Sequence, residues 1–512
     1  MGPEQEAKIR SVPELAAAAE SLRVAGRRVV LAHGTFDLLH LGHVRHLEAA
    51  RKEGDALVVT ITADAFVNKG PGRPVFNQFI RAEMLASLGC VDFVGIVDGA
   101  TAEPALEAIR PDVYVKGSDY ANAEDDVTGK ITCERNLVES HGGRIVFTDE
   151  VTFSSSALIN RHLDVYDPPL RAFLNEHRQR NALERLSGVI ERASGLKVLM
   201  VGDTIVDEYQ YVQPQGKSPK ENMIATRFHN AELFAGGVVA AANHTASFCR
   251  EVEVLSLLGG GEDSHEELVR RSLKPNVRFW NLTRPNVPTT RKCRFIDQSY
   301  LRKLFEVYHM DDTPLDAAEE AEFIATLRER AKAADLVIVT DFGHGLVTPN
   351  VIRALSECAP FLAVNAQTNS ANTGFNLITR YPRADFICID APEARLAVAD
   401  KHIEVERLVS ELLPARIDCK HLIITNGRHG CVTYGPDELV VHIPAFTKTV
   451  VDTVGAGDAF FAVTAPLVAA GATMAEAGFV GNVAGALKVG IVGHRQSVEK
   501  GAVLKYLQTL LK

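Results

Sequence analysis

His40 and His43 stand three residues apart, just after a glycine turn, in residues 28–47, RVVLAHGTFDLLHLGHVRHL. The apolar run ends at Ala32, Gly34 allows a tight turn and close approach of backbone to a ligand, and a helix is expected from about Leu41. Two imidazoles beside a helix N-terminus suit a phosphate, because the free N–H groups and the helix dipole favour an anion and the rings donate hydrogen bonds. The same His-x-x-His could supply half of a zinc site, although no third or fourth ligand lies nearby in the sequence. A second candidate lies at residues 451–460, VDTVGAGDAF. Gly455, Ala456 and Gly457 run straight into a helix and offer a row of backbone N–H groups as an anion hole. Asp458 is placed there to take a proton from an alcohol, a pairing that suits phosphoryl transfer from ATP to a hydroxyl. An aspartate after a glycine turn also reads as a simple helix cap.

Both candidates sit where an apolar run gives way to a helix, and most of the chain repeats that alternation. Val/Ile-rich runs at 28–32, 56–62, 93–97, 113–116 and 144–148, and again at 197–201, 252–257, 336–340, 386–389 and 421–425, read as buried parallel strands of an α/β fold. The pattern breaks near residues 164–195. Asp167-Pro168-Pro169 stops one helix, and a charged, helix-prone stretch precedes a fresh strand, KVLMV. The expected organisation is a first domain over 1–165, a stretch over 166–195 that is a helical linker or the opening helix of the second domain, and a second domain over 196–512.

Lys+Arg 55 against Asp+Glu 65 gives a net charge of −10, and no tract concentrates positive charge, which argues against a nucleic-acid partner. A chain that is 46% apolar and 23% charged can bury a core and is not disordered. The Cys 8 are scattered without a CxxC pair, as expected of reduced thiols in a cytoplasmic protein rather than a disulfide framework. Residues 1–15 lack the apolar run of a signal peptide. Residues 459–475 carry no charge but contain Pro466 and Gly471, and they read as a buried helix, not a membrane span.

GTFDLLHLGH at residues 34–43 resembles the G-x-F-D-x-x-H-x-G-H signature of the cytidylyltransferase-like nucleotidyltransferases. Lys69, Arg73 and Pro74 are similar to that family's KG-x-x-RP loop, and Arg81 opens the next helix. VKGSDY at 115–120 resembles a segment of ADP-heptose synthases, and FSSSALI at 153–159 resembles the family's closing serine-rich helix start. The resemblance covers about residues 10–163. It implies a Rossmann-like domain in which a sugar phosphate attacks the α-phosphorus of a nucleoside triphosphate. His40 and His43 would stabilise the α-phosphate charge, and Lys69 would neutralise triphosphate oxygens. Gly34 and Phe36 would border the nucleotide, Lys116 and Asp119 the nucleotide or acceptor. Ser154, Ser155 and Ser156 would hold the leaving pyrophosphate, and Arg81 would lie on the substrate side.

The run from Asp452 to Phe460 resembles the D-T-x-G-A-G-D-x-F signature of the PfkB/ribokinase-like carbohydrate kinases. That implies a ribokinase-like domain with a small β lid, covering about residues 190–510. Asp203 and Asp207 are similar to the acids that hold sugar hydroxyls, and Gly236, Gly237 and Asn243 to a sugar-side GG-x-x-x-N motif. Residues 340–345, TDFGHG, look like the D-Y-G-K-G loop of heptose kinases with His344 in place of lysine. Asn426, Gly427 and Gly430 fit a turn over the nucleotide, and Asn482 an adenine-side position. Asp390 and Glu393 stand where the family has N-x-x-E, which orders Mg²⁺ through water. Aspartate there adds negative charge, and residues 365–376 replace a D-P-K-type segment.

Together the halves resemble the bifunctional heptose-phosphate kinase/heptose-1-phosphate adenylyltransferases with the domain order reversed. The resemblance implies Mg²⁺, ATP or another nucleoside triphosphate, sugar-phosphate ligands, and a homodimer or higher homo-oligomer. An alternative is a single nucleotidyltransferase activity, CTP-using with a polyol phosphate acceptor, beside a PfkB-like domain that only binds or senses a sugar phosphate.

Overall fold

Alternate residues of a strand point to opposite faces of its sheet, so an unbroken apolar run calls for cover on both sides. In VVLA, Val30 and Ala32 join one core cluster with Val59, Ile61, Ala82 and Leu85, while Val29 and Leu31 join another with Val58, Leu106 and Tyr114. The computed structural model describes residues 2–67, 69–117, 130–148, 155–163, 165–178, 181–299, 301–447 and 449–512. They form two units, Met1–Arg178 with Leu504–Lys512, and Gln179–Val503.

The first unit is built on β1 (Val29–Gly34), β2 (Ala56–Thr62), β3 (Phe93–Val97), β4 (Val113–Gly117) and β5 (Arg144–Thr148). Among the described residues these form a parallel sheet in the order β3-β2-β1-β4-β5, with Val30 opposite both Leu57 and Val113. The connections run one way from β1 and the other way from β4. The crevice beyond the carboxyl ends of these two neighbours is where open α/β sheets bind ligands. Residues 35–43 leave β1 at that edge, and Lys116 and Gly117 end β4 there.

The expected domain limits shift. Helix Pro168–Arg178 belongs to the first unit and helix Ala182–Ala193 to the second, so 166–195 is not one linker. Leu504–Lys512 belongs to the first unit instead of closing the second. Its Tyr506, Leu507 and Leu510 are buried, Asn160 Nδ2 donates to Thr509 O at 2.8 Å, and Arg178 Nη2 donates to Leu510 O at 2.7 Å.

The second unit contains β6 (Lys197–Gly202), β7 (Thr204–Lys217), β8 (Ile224–Gly237), β9 (Glu251–Gly259), β10 (Val277–Arg284), β11 (Thr290–Asp297) and β12 (Arg302–His309). It continues with β13 (Leu336–Asp341), β14 (Leu362–Ala366), β15 (Phe386–Asp390), β16 (His421–Thr425), β17 (Cys431–Tyr434) and β18 (Val441–Ile443). The main sheet has the order β10-β9-β6-β13-β14-β15-β16-β17-β18, parallel from β10 to β16. A smaller sheet, β12-β11-β7-β8, is the expected lid. The main sheet changes direction of growth between β6 and β13, which puts Asp203 and Asp341 at its switch point.

The uncharged stretch after Asp458 is a helix, Ala456–Ala469, buried from Asp458 to Val468. No described helix is long and apolar enough to cross a membrane. Pro466 lacks an N–H for the carbonyl of Ala462, four residues back. Thr245 Oγ1 donates to that carbonyl instead, at 3.1 Å, inside the protein. Thr245→Val is therefore expected to lower unfolding stability by about 1–3 kcal/mol, the cost of an unmet buried acceptor. In urea melts, adding Pro466→Ala should recover most of the loss, because residue 466 then supplies its own N–H.

Candidate active sites

In the first unit, His40 caps helix Leu41–Arg51: its Nδ1 accepts the His43 N–H at 3.3 Å. The two rings stack with centroids 3.9 Å apart, and the Phe36 ring meets His43 edge-on at 5.1 Å. Phe36 holds φ at +47°, a left-handed conformation costly for a bulky residue, and Gly34 leaves room for its ring. His43 Nδ1 is buried with no partner among the described residues. Burial, then repulsion from His40, Lys69 and His46, pushes His43 down to about 3, so it is a neutral imidazole at pH 7. Ser155, at the start of helix Ser155–His162, places Oγ 3.1 Å from His40 Nε2, and Ser156 is buried beside it. A helix start, a histidine pair and a serine thus converge. Ser154 and Asp119 lie outside the described residues.

Lys69 joins this group through its loop. Asp37 accepts the Val75 N–H at 2.6 Å and the Phe76 N–H at 3.3 Å, and it pairs with buried Arg73 at 3.4 Å. Arg73 also donates to Asn160 Oδ1 at 2.8 Å. Burial, with repulsion from Lys505, Arg73 and Lys512 outweighing attraction to Asp37, pushes Lys69 down to about 7.

One expectation is corrected here. Arg81 is wholly buried and donates to Phe76 O, Thr35 O, Thr62 O and Asp64, so it braces the signature loop and does not face a substrate. Lys116 pairs at 2.9 Å with buried Glu134, which also accepts the Tyr114 hydroxyl. Its ammonium, at the carboxyl end of β4, thus faces that carboxylate. His46, which the sequence reading did not single out, bonds Thr148 Oγ1 at 2.7 Å.

In the second unit, Gly455 holds φ at +71° and caps the helix that begins at Ala456. A Cβ on Gly457 would meet nothing within 4 Å, so space is open at the anion hole. Asp458 is buried, accepts the Gln367 side-chain amide, and is raised above the usual carboxylate range by burial. His494 links this end to Asp207, one of the two acids expected to hold sugar hydroxyls. Its Nε2 lies 3.1 Å from Asp207 Oδ2, and its Cε1 would lie 2.6 Å from a Cβ on Gly455. Asp207 also pairs with Arg294; these partners overcome burial and hold it well below the usual carboxylate range. Asp203 accepts the Phe342 N–H at 3.0 Å, and burial together with Asp341 pushes it up to about 7. Gly236 and Gly237 keep this corner passable: a Cβ would fall 2.1 Å from Asp207 Oδ2 or 2.4 Å from Asp203 O. His344, buried with both ring nitrogens unpartnered among the described residues, lines a small cavity with Asp203, Arg284 and Asp311.

The turn expected to lie over the nucleotide is tight. Asn426 N–H donates to Gly430 O at 2.7 Å, and a Cβ at Gly430 would fall 1.9 Å from Ile443 O. Gly427 holds φ at +52° and borders open space. Asn482 is buried, with Nδ2 3.2 Å from Cys431 Sγ, which commits its amide to the protein. Asn243 is corrected. Five residues separate it from Gly237, two more than the motif allows, and two residues turn a helix by about 200°. Its side chain bonds Ser272 O and Lys274 N instead. Asp390 caps helix Ala391–Val398 by accepting the Glu393 N–H at 2.7 Å. Both Glu393 oxygens accept backbone N–H groups, from Asp390 and Thr368, and burial and Asp390 push its carboxyl up to about 8. Such oxygens fit a cation held through water better than direct ligation.

Residues 196–501 match the pfkB family carbohydrate kinase description, and residues 31–161 match Cytidylyltransferase-like. The N-terminal part is 41% identical over 167 residues to the Bifunctional protein HldE of Syntrophotalea carbinolica, covering 32% of this chain and 33% of that protein. It is 44% identical over 145 residues to the protein of the same name from Geotalea uraniireducens, covering 28% of each. The chain thus spans about a third of the length of the curated relatives it matches. The fold of the second unit is similar to that of phosphofructokinase-2 from Escherichia coli in complex with potassium, at 14% identity and TM-score 0.50, covering 62% of this chain and 100% of that one.

The position of Lys69 makes a pH dependence testable. A triphosphate favours the ammonium form, so above about pH 7 binding must first take up a proton. Affinity for tripolyphosphate at this site should fall severalfold between about pH 6.5 and about pH 8.5, and Lys69→Arg, charged throughout, should flatten that fall. Isothermal titration of the two proteins across this range checks it through their difference.

Proposed function

The chain belongs to the pfkB family of carbohydrate kinases, and on that premise we propose that it is a bifunctional sugar-nucleotide precursor enzyme. One unit phosphorylates a heptose-like sugar or sugar phosphate with ATP. The other transfers a nucleotidyl group, from ATP or another nucleoside triphosphate, to a sugar phosphate. The order of the two is the reverse of that in the heptose enzymes the sequence resembles.

The observation that carries the kinase half is the open N-terminus of the buried helix Ala456–Ala469, with Asp458 in its first turn and His494 tying it to Asp207. Asp203 and Asp207 hold sugar hydroxyls. The acceptor hydroxyl oxygen bonds to the γ-phosphorus, the bond from that phosphorus to ADP breaks, and the hydroxyl proton passes to Asp458. The raised proton affinity of a buried carboxylate suits this role. The N–H groups of residues 455–457 receive the developing phosphoryl charge. Mg²⁺ bound to the donor's phosphates would neutralise their charge, and Asp390 and Glu393 would hold it through water.

In the transferase half, a sugar-phosphate oxygen bonds to the α-phosphorus and the bridge to the β-phosphorus breaks, releasing pyrophosphate. His43, neutral and with Nδ1 unpartnered among the described residues, donates to the α-phosphate beside His40, and Lys69 neutralises the triphosphate. Ser155, Ser156 and their helix start take the leaving group. A homodimer or higher oligomer is supported by large apolar side chains exposed on the lid, among them Phe228, Phe305 and Val307.

A second reading has the pfkB-like unit only sense a sugar phosphate. It is favoured by Asp390, a carboxylate beside the phosphates. Assays with ATP, Mg²⁺ and a panel of sugars and sugar phosphates separate the two. Asp458→Asn should cut sugar-dependent ADP formation about 10²–10⁴-fold and leave pyrophosphate release intact. His43→Ala should cut pyrophosphate release about 10²–10³-fold and spare ADP formation. A wild type that makes pyrophosphate but no ADP with any acceptor supports the sensor reading.

A further inference from the structure

Lys488 ends helix Met474–Lys488 and is 0% exposed. Its ammonium donates to Val454 O and Gly493 O, each at 2.8 Å. Val454 directly precedes Gly455 of the anion hole, and Gly493 directly precedes His494, the histidine bonded to Asp207. The N–H groups of the same two residues donate to Asp452, at 3.1 Å from Val454 and 2.9 Å from Gly493. Both residues are therefore gripped twice, by an anion at their N–H groups and by a cation at their carbonyls. The Gly455 backbone packs against the lysine stem, since a Cβ there would lie 3.4 Å from Lys488 Cε.

A lysine in apolar surroundings tends to lose its proton. Burial draws Lys488 below the usual range, while Asp452, Asp458 and Asp207 oppose that loss. Inward-pointing carbonyls replace the hydration shell of a monovalent cation as readily as they accept an ammonium. We propose that the Lys488 ammonium is a tethered monovalent cation for the phosphate-binding loop. It positions residues 454–457, sets a fixed positive charge behind the anion hole, and makes free alkali ions unnecessary for phosphoryl transfer. Lys488 is a positioning residue, and its role rests on the kinase reading of that helix start.

The test uses the full chain. Wild-type ADP formation should proceed equally in KCl and in tetramethylammonium chloride. Lys488→Met should lose at least about tenfold in kcat in tetramethylammonium and regain part of it in K⁺, NH₄⁺ or Rb⁺, a rescue that a merely structural lysine would not show. Lys488→Gln keeps a donor without the charge and should behave alike; it serves if the methionine variant fails to fold. Crystals of either variant in RbCl should show an anomalous peak between Val454 O and Gly493 O, and wild-type crystals none. Severalfold stimulation of the wild type by K⁺, an unimpaired variant, or an impaired variant with neither rescue nor rubidium would overturn the proposal. If no form makes ADP with any acceptor, the kinase reading fails, and the rubidium maps alone decide the role of Lys488.

Discussion

Asp207, Asp452 and Asp458 place three carboxylates where water is largely excluded, and an unpaired buried charge is expensive. Each is answered locally. Asp207 takes Arg294 and His494, Asp452 takes Lys303, Tyr209 and two peptide N–H groups, and Asp458 takes the Gln367 amide. These partners come from the lid, from the loop after β14 and from the C-terminal loops, so satisfying the charges also fixes the walls of the site. A phosphate entering there would add more negative charge, with helix N–H groups and the buried ammonium groups of Lys292 and Lys488 among its counterparts.

The first unit meets the same demand with different parts. Its candidate site lies at the carboxyl ends of β1 and β4, where a parallel sheet delivers loops and helix starts together. Arg73, Arg81 and Asp37 spend their hydrogen bonds on holding the loop after β1 against the loop that carries Lys69. Burial leaves Lys69 and His43 with lowered proton affinity, and these are the groups whose charge an anion is proposed to alter. With a net charge of −10, the chain draws no phosphate by its overall field. Recognition has to come from these local arrangements.

The parts legible in the sequence are those whose partners are close in sequence. The strands at 56–62 and 93–97 stand as read, because buried parallel strands show as unbroken apolar runs. His40 with His43, and Gly455 with Asp458, were readable because a cap and an anion hole are built within a few residues. Roles set by distant partners were not. Glu134 turns Lys116 inward, Asp207 recruits His494 from 287 positions further on, and Val454 finds Lys488. Asn243 misled for the opposite reason: its spacing nearly fits a motif, and only the helix turn reveals that it points elsewhere. The return of Leu504–Lys512 to the first unit was not legible, because buried Tyr506, Leu507 and Leu510 mark a packed helix without saying which unit it packs in, and its partners Asn160 and Arg178 are distant in sequence.

That two separate phosphate sites carry two separate reactions is most directly tested by following phosphorus itself. The full-length chain would be incubated with ATP, Mg²⁺ and heptose acceptors, free or already phosphorylated, while ³¹P NMR records every product. The account predicts two independent sets of resonances. A new sugar phosphate with ADP should vanish only in Asp458→Asn, and a sugar-nucleotide diphosphate bridge with pyrophosphate should vanish only in His43→Ala. A spectrum in which either substitution removes both sets, or in which one set never forms with any acceptor, would contradict it.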